Sequence, residues 1–298
     1  MIKKVRFKIL FVIVLTLSSH LFVSGQYNRA LYDDELKLKI WFDSLFMRND
    51  AVFILPDSKK IAYSDSIRQT LNKALRQPEA WKFPFDSLTN LGKIFSNDSS
   101  LRILTWNIRL KGGIYRYYGF IMKKNNERDI KVFELNDSTN TIPAKELENL
   151  TLSSNQWYGA TYYQIIHFTK VKHPYYLLIG WKGYNAYLHQ KIVEALWFNK
   201  KGKPIFGKAI FQSDQKTVKR LVFSHSIKGT MSCHYEPSQK AIIFDHLVPS
   251  SNIYQGMYEF YGPNGTFDAY FLKKNMWILK EDIEPKNPRK KNELPSNN

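Results

Sequence analysis

Cysteine is almost missing: Cys233 is the only one in 298 residues. An intramolecular disulfide is therefore impossible, and stability has to come from packing. The local motifs of common catalysts are missing too. There is no Walker A loop, no G-x-S-x-G elbow, no H-E-x-x-H and no G-x-G-x-x-G. This removes the enzymes whose chemistry sits on one short segment and leaves those assembled from distant strands. Acid is scarce relative to base, with 26 Asp and Glu against 44 Lys and Arg and a net charge of +18. A positive field concentrates anions. The bases do not cluster along the chain, however: Lys123-Lys124, Lys200-Lys201, Lys273-Lys274 and Arg289-Lys290-Lys291 lie far apart, mostly beside turn residues. They read as solvated loops rather than as one binding patch.

The one long hydrophobic run is at the start. Lys3, Lys4, Arg6 and Lys8 precede an apolar stretch from Ile9 to Val23, and Val23-Ser24-Gly25 places small residues before Gln26. That is the pattern of a signal peptide, residues 1–25, cleaved before Gln26. An uncleaved anchor would need about 20 apolar residues, and this run turns polar at Ser18, Ser19 and His20. No Cys near the cleavage point offers a lipid attachment site, and no later segment is apolar enough to span a membrane. The expected compartment is the periplasm or the cell surface, which removes genomic nucleic acid from the expected partners.

Behind the leader, residues 26–98 read as a helical segment. Leu38, Trp41, Phe42, Leu45 and Phe46 fall at helical spacing between Leu31 and Met47, with Asp33, Asp34 and Glu35 near the start, where the helix dipole favours acids. Ser64 or Asp65 is placed to cap a second helix through Arg76, with Ile67, Leu71 and Leu75 inward and Pro78 as its stop. A third short helix is predicted over Asp86 to Phe95. From residue 99 to 283 the texture changes to aromatic and β-branched runs separated by Gly, Asn and Pro, which predicts an antiparallel β-domain. Asn199 to Gly202 reads as a hairpin turn, and Gly262-Pro263-Asn264-Gly265 as a second one between strands Met257–Tyr261 and Thr266–Leu272. Residues 284–298, rich in Pro, Asn and charge, read as a disordered tail. The fold class is mainly β (α+β): a large antiparallel domain, as a meander, barrel or propeller, behind a short helical segment.

Three constellations bear on chemistry. His225, His234 and His246, with Asp245 and Cys233 nearby, are ligand types that zinc prefers. Strand alternation scatters them, because His225 shares a face with Leu221 and Phe223, His246 with Ile242 and Phe244, and His234 with Thr230 and Ser232. They read as structural histidines, so no metal and no cofactor is expected. Glu194, Glu259 and Asp268 are acids inside apolar strands; two of them about 5–9.5 Å apart would suit glycoside hydrolysis, while an edge or solvent-facing position explains each one singly. Finally, Trp157, Tyr158, Tyr162, Tyr163, Tyr175, Tyr176, Trp181, Tyr184 and Tyr187 crowd into 31 residues. Such rings pair across strands or stack on sugars and peptides, which makes Trp157, Tyr162, Tyr175 and Trp181 the candidate binding residues.

The stretches Leu104-Thr-Trp-Asn107, Tyr117-Tyr-Gly-Phe120, Trp157-Tyr-Gly159, Tyr176-Leu-Leu-Ile-Gly-Trp-Lys-Gly183, Phe244-Asp-His-Leu247 and Phe260-Tyr-Gly-Pro-Asn-Gly265 resemble exported proteins of Bacteroidetes bacteria with no assigned activity. The resemblance covers about residues 86–282 and implies no catalytic residue. The expected function is that of a non-enzymatic binding or envelope-associated protein contacting a glycan, a peptide or an envelope protein. The alternative is a secreted or periplasmic hydrolase of envelope or dietary polymers, built on the acids and histidines above.

Overall fold

The computed structural model describes residues 29–46, 55–126, 129–213 and 216–284. The predicted signal peptide and all but the first residue of the predicted tail lie outside them. The chain divides into two units, residues 1–91 with 120–132 and residues 92–119 with 133–298. Among the described residues no helix is long and apolar enough to cross a membrane.

In the first unit, helix α1 covers residues 29–46 and buries Leu31, Leu38 and Phe42. Glu35, in its second turn, accepts the Ser87 N–H at 2.9 Å, which ties the later loop back to the helix. Helix α2, Asp57–Ala74, starts directly after Pro56 rather than at Ser64 or Asp65. Ser64 instead takes an inner-face position with Ile67, Leu71 and Ala74. The helix extends about two turns further back than a polar cap would suggest, because Pro56 with Asp57 in the first turn already makes a start signal. The third predicted helix does not form. Residues 86–91 are turns, and the β-favouring Ile94 and Phe95 belong to a strand that begins at Gly92.

The second unit contains most of the sheet. Strands β1 (Gly92–Phe95) and β2 (Leu101–Arg109) pair antiparallel; β3 (Tyr115–Asn126) and β4 (Asp129–Asn136) carry the chain into the first unit and back. Two six-stranded sheets follow. The first has the order β5-β9-β8-β7-β6, with β12 also beside β8; these are β5 (Leu152–Ser153), β6 (Thr161–Phe168), β7 (Tyr175–Gly183), β8 (Leu188–Phe198), β9 (Pro204–Phe206) and β12 (Arg220–Ser226). The second has the order β11-β10-β16-β15-β14-β13, from β10 (Phe211–Ser213), β11 (Lys216–Val218), β13 (Cys233–Glu236), β14 (Ala241–Pro249), β15 (Tyr261–Lys273) and β16 (Met276–Ile283). The pairing is antiparallel except between β10 and β16. Both sheets are meanders in their central strands, and their inner faces share one core that includes Tyr175, Leu177, Ile179, Val193, Ala195, Leu221, Phe244, Tyr270 and Trp277. The fold is mainly β with a short helical segment ahead of it.

A glycine separates the two sheets, and one turn departs from the sequence reading. Residues 204–212 are two strands, because Gly207 at φ +90° breaks the run. The Gly262–Gly265 segment is no hairpin tip: β15 runs straight through it. Register moves from Asp245 opposite Phe267 to Leu247 opposite Pro263, so His246 faces three residues across a bulge. The tight turn instead joins β15 to β16 at Lys274 and Asn275, both at positive φ, the conformation that a two-residue hairpin demands.

Candidate functional site

Odd-numbered residues of β7 and β8 face the shared core, so even-numbered ones form the other face of the first sheet. There the strand register lines up polar side chains. Lys182 of β7 stands opposite Gln190 of β8, and Gln190 opposite Ser224 of β12. Four residues along, Leu178 stands opposite Glu194, and Glu194 opposite Arg220. This face is not solvated. The segment 137–160 covers it and divides it into a dry part and an open part.

The dry part holds three buried acidic or basic side chains. Glu194 and Arg220 are both fully buried, with Arg220 Nε 2.6 Å from one Glu194 oxygen, Tyr162 donating to the other at 2.5 Å, and Arg220 Nη1 donating to the Leu147 carbonyl at 2.7 Å. Trp157 Nε1 donates to the Tyr162 oxygen at 2.9 Å. Burial pushes the Tyr162 phenol well above its ordinary range, and the Glu194 charge adds to the effect. Lys182, 1 % exposed, donates to Gly159 O at 2.6 Å and to Thr139 Oγ1 at 2.8 Å. Its ammonium lies between the ring faces of Tyr117 and Tyr158, 4.3 and 4.2 Å from their centroids. Burial pushes it down to about 7, against the pull of Asp137 and Glu194.

This cage is packed without slack. A Cβ on Gly159 would lie 2.4 Å from Tyr117 Cβ. Gly159→Ala is therefore expected to cost about 1–3 kcal/mol by overpacking, read as a lower urea midpoint at unchanged slope.

The open part is a cleft of about 480 Å³. Tyr158, Tyr184, Tyr258 and Tyr261 line it together with Phe223; Gln190 and Ser224 form its floor, and Glu148 is its one carboxylate among the described residues. Tyr158 donates to Gln190 Oε1 at 2.7 Å and Gln190 Nε2 to Ser224 Oγ at 3.0 Å. All donors in this relay run one way, so it ends on a Ser224 hydroxyl whose own proton is unspent among the described residues. Burial pushes Glu148 above the usual carboxylate range despite Lys216, the Val222 N–H and Arg220, which lower it.

Most residues singled out from sequence lie outside the cleft. Trp157, Tyr162 and Tyr175 are at most 2 % exposed. Their polar edges are spent internally, Tyr175 accepting from Trp277 Nε1 at 2.9 Å. They are core residues and present no stacking surface. Trp181 is half-buried, set edge-on against Tyr115 and His189. The three acids do not assemble. Glu194 is neither on a sheet edge nor solvent-facing but paired in the dry part, Asp268 is bound to His246 Nδ1 at 2.7 Å on the second sheet, and Glu259 lies in the short turn Tyr258–Phe260. His225 is 2 % exposed beside its cross-strand neighbour His189 and bonded through Nδ1 to Ser226 O, while His234 pairs with Ile243. Among the described residues no group of three His, Cys, Asp or Glu could hold a metal. Cys233 is buried, and burial pushes its thiol up to about 12. Tyr158 and Tyr184 belong to the aromatic crowd seen in the sequence; Gln190 and Ser224 had no signal except the parity they share with their strand neighbours, and Glu148, in the short turn Leu147–Asn149, had none.

Comparison of the chain with protein-family models, with curated proteins and with solved structures returns no match.

Proposed function

We propose that this chain is an exported, non-enzymatic binding protein of the periplasm or cell surface, and that the tyrosine-lined cleft takes an uncharged glycan segment. The observation that carries the reading is the one-way relay Tyr158–Gln190–Ser224 ending on a free hydroxyl beneath four tyrosine rings. Sugars present hydroxyls at their rims and weakly polar C–H faces, which suits rings beside a donor, an amide and one acid. Glu148 also favours the hydrolase alternative, because a carboxyl raised by burial is the kind of group a general acid requires. Glycoside hydrolysis needs a second carboxylate about 5–9.5 Å away, and among the described residues Glu148 is the only acid lining the cleft. The lack of a second acid among these lining residues supports the binding reading.

The test is thermal-shift screening of the secreted chain against neutral plant and envelope oligosaccharides, followed by calorimetry. A ligand at 100 times its Kd stabilises by about 2.7 kcal/mol. Tyr258→Ala, at an exposed rim position, and Ser224→Ala are each expected to weaken that ligand about five- to tenfold. A shift that survives both substitutions would place the ligand elsewhere, and release of shortened oligosaccharides by the wild-type chain would move the protein to the hydrolase class.

A further inference from the structure

A second cleft, independent of the first, lies at the other end of β8. It encloses about 530 Å³ and is lined by residues 173–174, 197–200 and 207–209 together with Thr151 and Lys219. Lys200, Lys208, Lys219 and His173 are all on its walls, and among the described residues no acid is. In sequence these bases look like unrelated loop charges. The fold gathers them: the hairpin turn closed by Gly202 N–H on Asn199 O carries Lys200, and Lys208 N–H donates to Lys219 O at 3.3 Å, which joins the other two lysine backbones. Lys208 Nζ donates to His173 O at 2.8 Å and stands over the Tyr175 ring at 5.3 Å, so its ammonium is held in place. Among the described residues none of the three lysines forms an ion pair. Beneath the floor lies another donor. The fully buried Arg220 has an Nη2 without a hydrogen-bond partner, and it would sit 3.5 Å from a Cβ on Gly207, a lining residue.

We propose that this cleft binds an acidic saccharide, its carboxylate or sulfate set among the lysines and its ring on the apolar part of the wall. Three ammonium groups with no counter-charge make a site for an anion. Trp197, Phe198, Pro174 and Ala209 supply the apolar surface that a bare inorganic anion would leave unused. A uronate and a sulfated sugar meet the same chemistry, and the experiment distinguishes them.

Isothermal titration of the full chain would use oligogalacturonate, a heparin-derived oligosaccharide, a neutral oligosaccharide of equal length and sodium sulfate. At least one acidic oligosaccharide is expected to bind, with affinity falling as salt rises, and sulfate alone to bind far more weakly. Lys200→Glu, on an exposed turn where folding is not at stake, should cost about five- to tenfold. Lys208→Gln combined with Lys219→Gln should cost more, and Ser224→Ala in the first cleft should change nothing. Whichever acidic sugar binds identifies the source. Failure of both to bind, binding equal to that of the neutral sugar, or an affinity untouched by Lys200→Glu would overturn the proposal. Sensitivity to Ser224→Ala would assign the acidic sugar to the first cleft instead.

Discussion

Replacing Arg220 by Met is expected to lower the unfolding free energy by about 3–5 kcal/mol, the largest effect of any single substitution considered. The substitution removes the partner of a carboxylate that has no access to water. Glu194 would keep only the Tyr162 hydroxyl, and the Leu147 carbonyl would lose its donor. Removing Glu194 instead strands the guanidinium, at similar cost. The pair itself is worth much less than either single loss, because its mutual attraction mainly offsets the desolvation of both ions. Glu194→Met with Arg220→Met should therefore be more stable than either single variant, though short of wild type, because the Tyr162 hydroxyl and Leu147 carbonyl stay unpaired. Urea unfolding of the four proteins closes the cycle. A strictly additive double variant would mean that the two side chains are not coupled in solution as they are in the fold.

The same pair shows where sequence reasoning stopped. Parity along a strand was legible: Ile192 and Glu194 share a face, as do Arg220 and Ser224. Register was not, since nothing local says that residue 194 stands opposite 220 or 190 opposite 224. Without register an acid in an apolar strand reads as an edge or surface residue. The cover over the outer face was equally hidden, because residues 137–160 look like a polar loop until Asp137 accepts the Tyr117 N–H at 3.0 Å and brings the segment onto the sheet. The inward residues Leu38, Phe42, Ile67, Leu71 and Leu75 of the first two helices and the turn Asn199–Gly202 depend on local rules and appear as read. The Gly262–Gly265 segment failed as a hairpin although its residues suit one, since long-range pairing of β14 with β15 outweighed local turn preference. The aromatic crowd was real, but its division into buried rings and cleft rings depends on which of two adjacent residues, Trp157 or Tyr158, lies toward the ion pair and which toward the cleft.

Lys182→Met is expected to stabilise the protein below pH 7 and to flatten its stability across the alkaline range. Burial holds the folded-state pKa of Lys182 at about 7, against an ordinary value of 10.5. Between those two values the unfolded chain keeps a proton that the native chain has released, so wild-type stability rises with pH through this window. Below pH 7 both states carry the charge, and the fold bears the cost of a desolvated ammonium. The swing is on the order of 5 kcal/mol, and cation–π attraction from the faces of Tyr117 and Tyr158 keeps it from being larger. Urea denaturation at pH 6, 8 and 9.5 would measure it; above that range Tyr117 and Tyr158, whose phenols burial raises, begin to oppose the trend. In the Met variant the Gly159 carbonyl and Thr139 hydroxyl lose a donor, a pH-independent cost that lowers the whole curve without tilting it. A difference between wild type and variant that is the same at pH 6 and pH 9.5 would show that Lys182 stays charged throughout. The ring of Tyr158 forms one wall of the cage and one wall of the cleft, and its hydroxyl begins the relay to Ser224. Loosening the cage should therefore weaken ligand binding in the first cleft and leave the lysine cleft at the far end of β8 unchanged, which separates a local effect on Tyr158 from a general loss of structure.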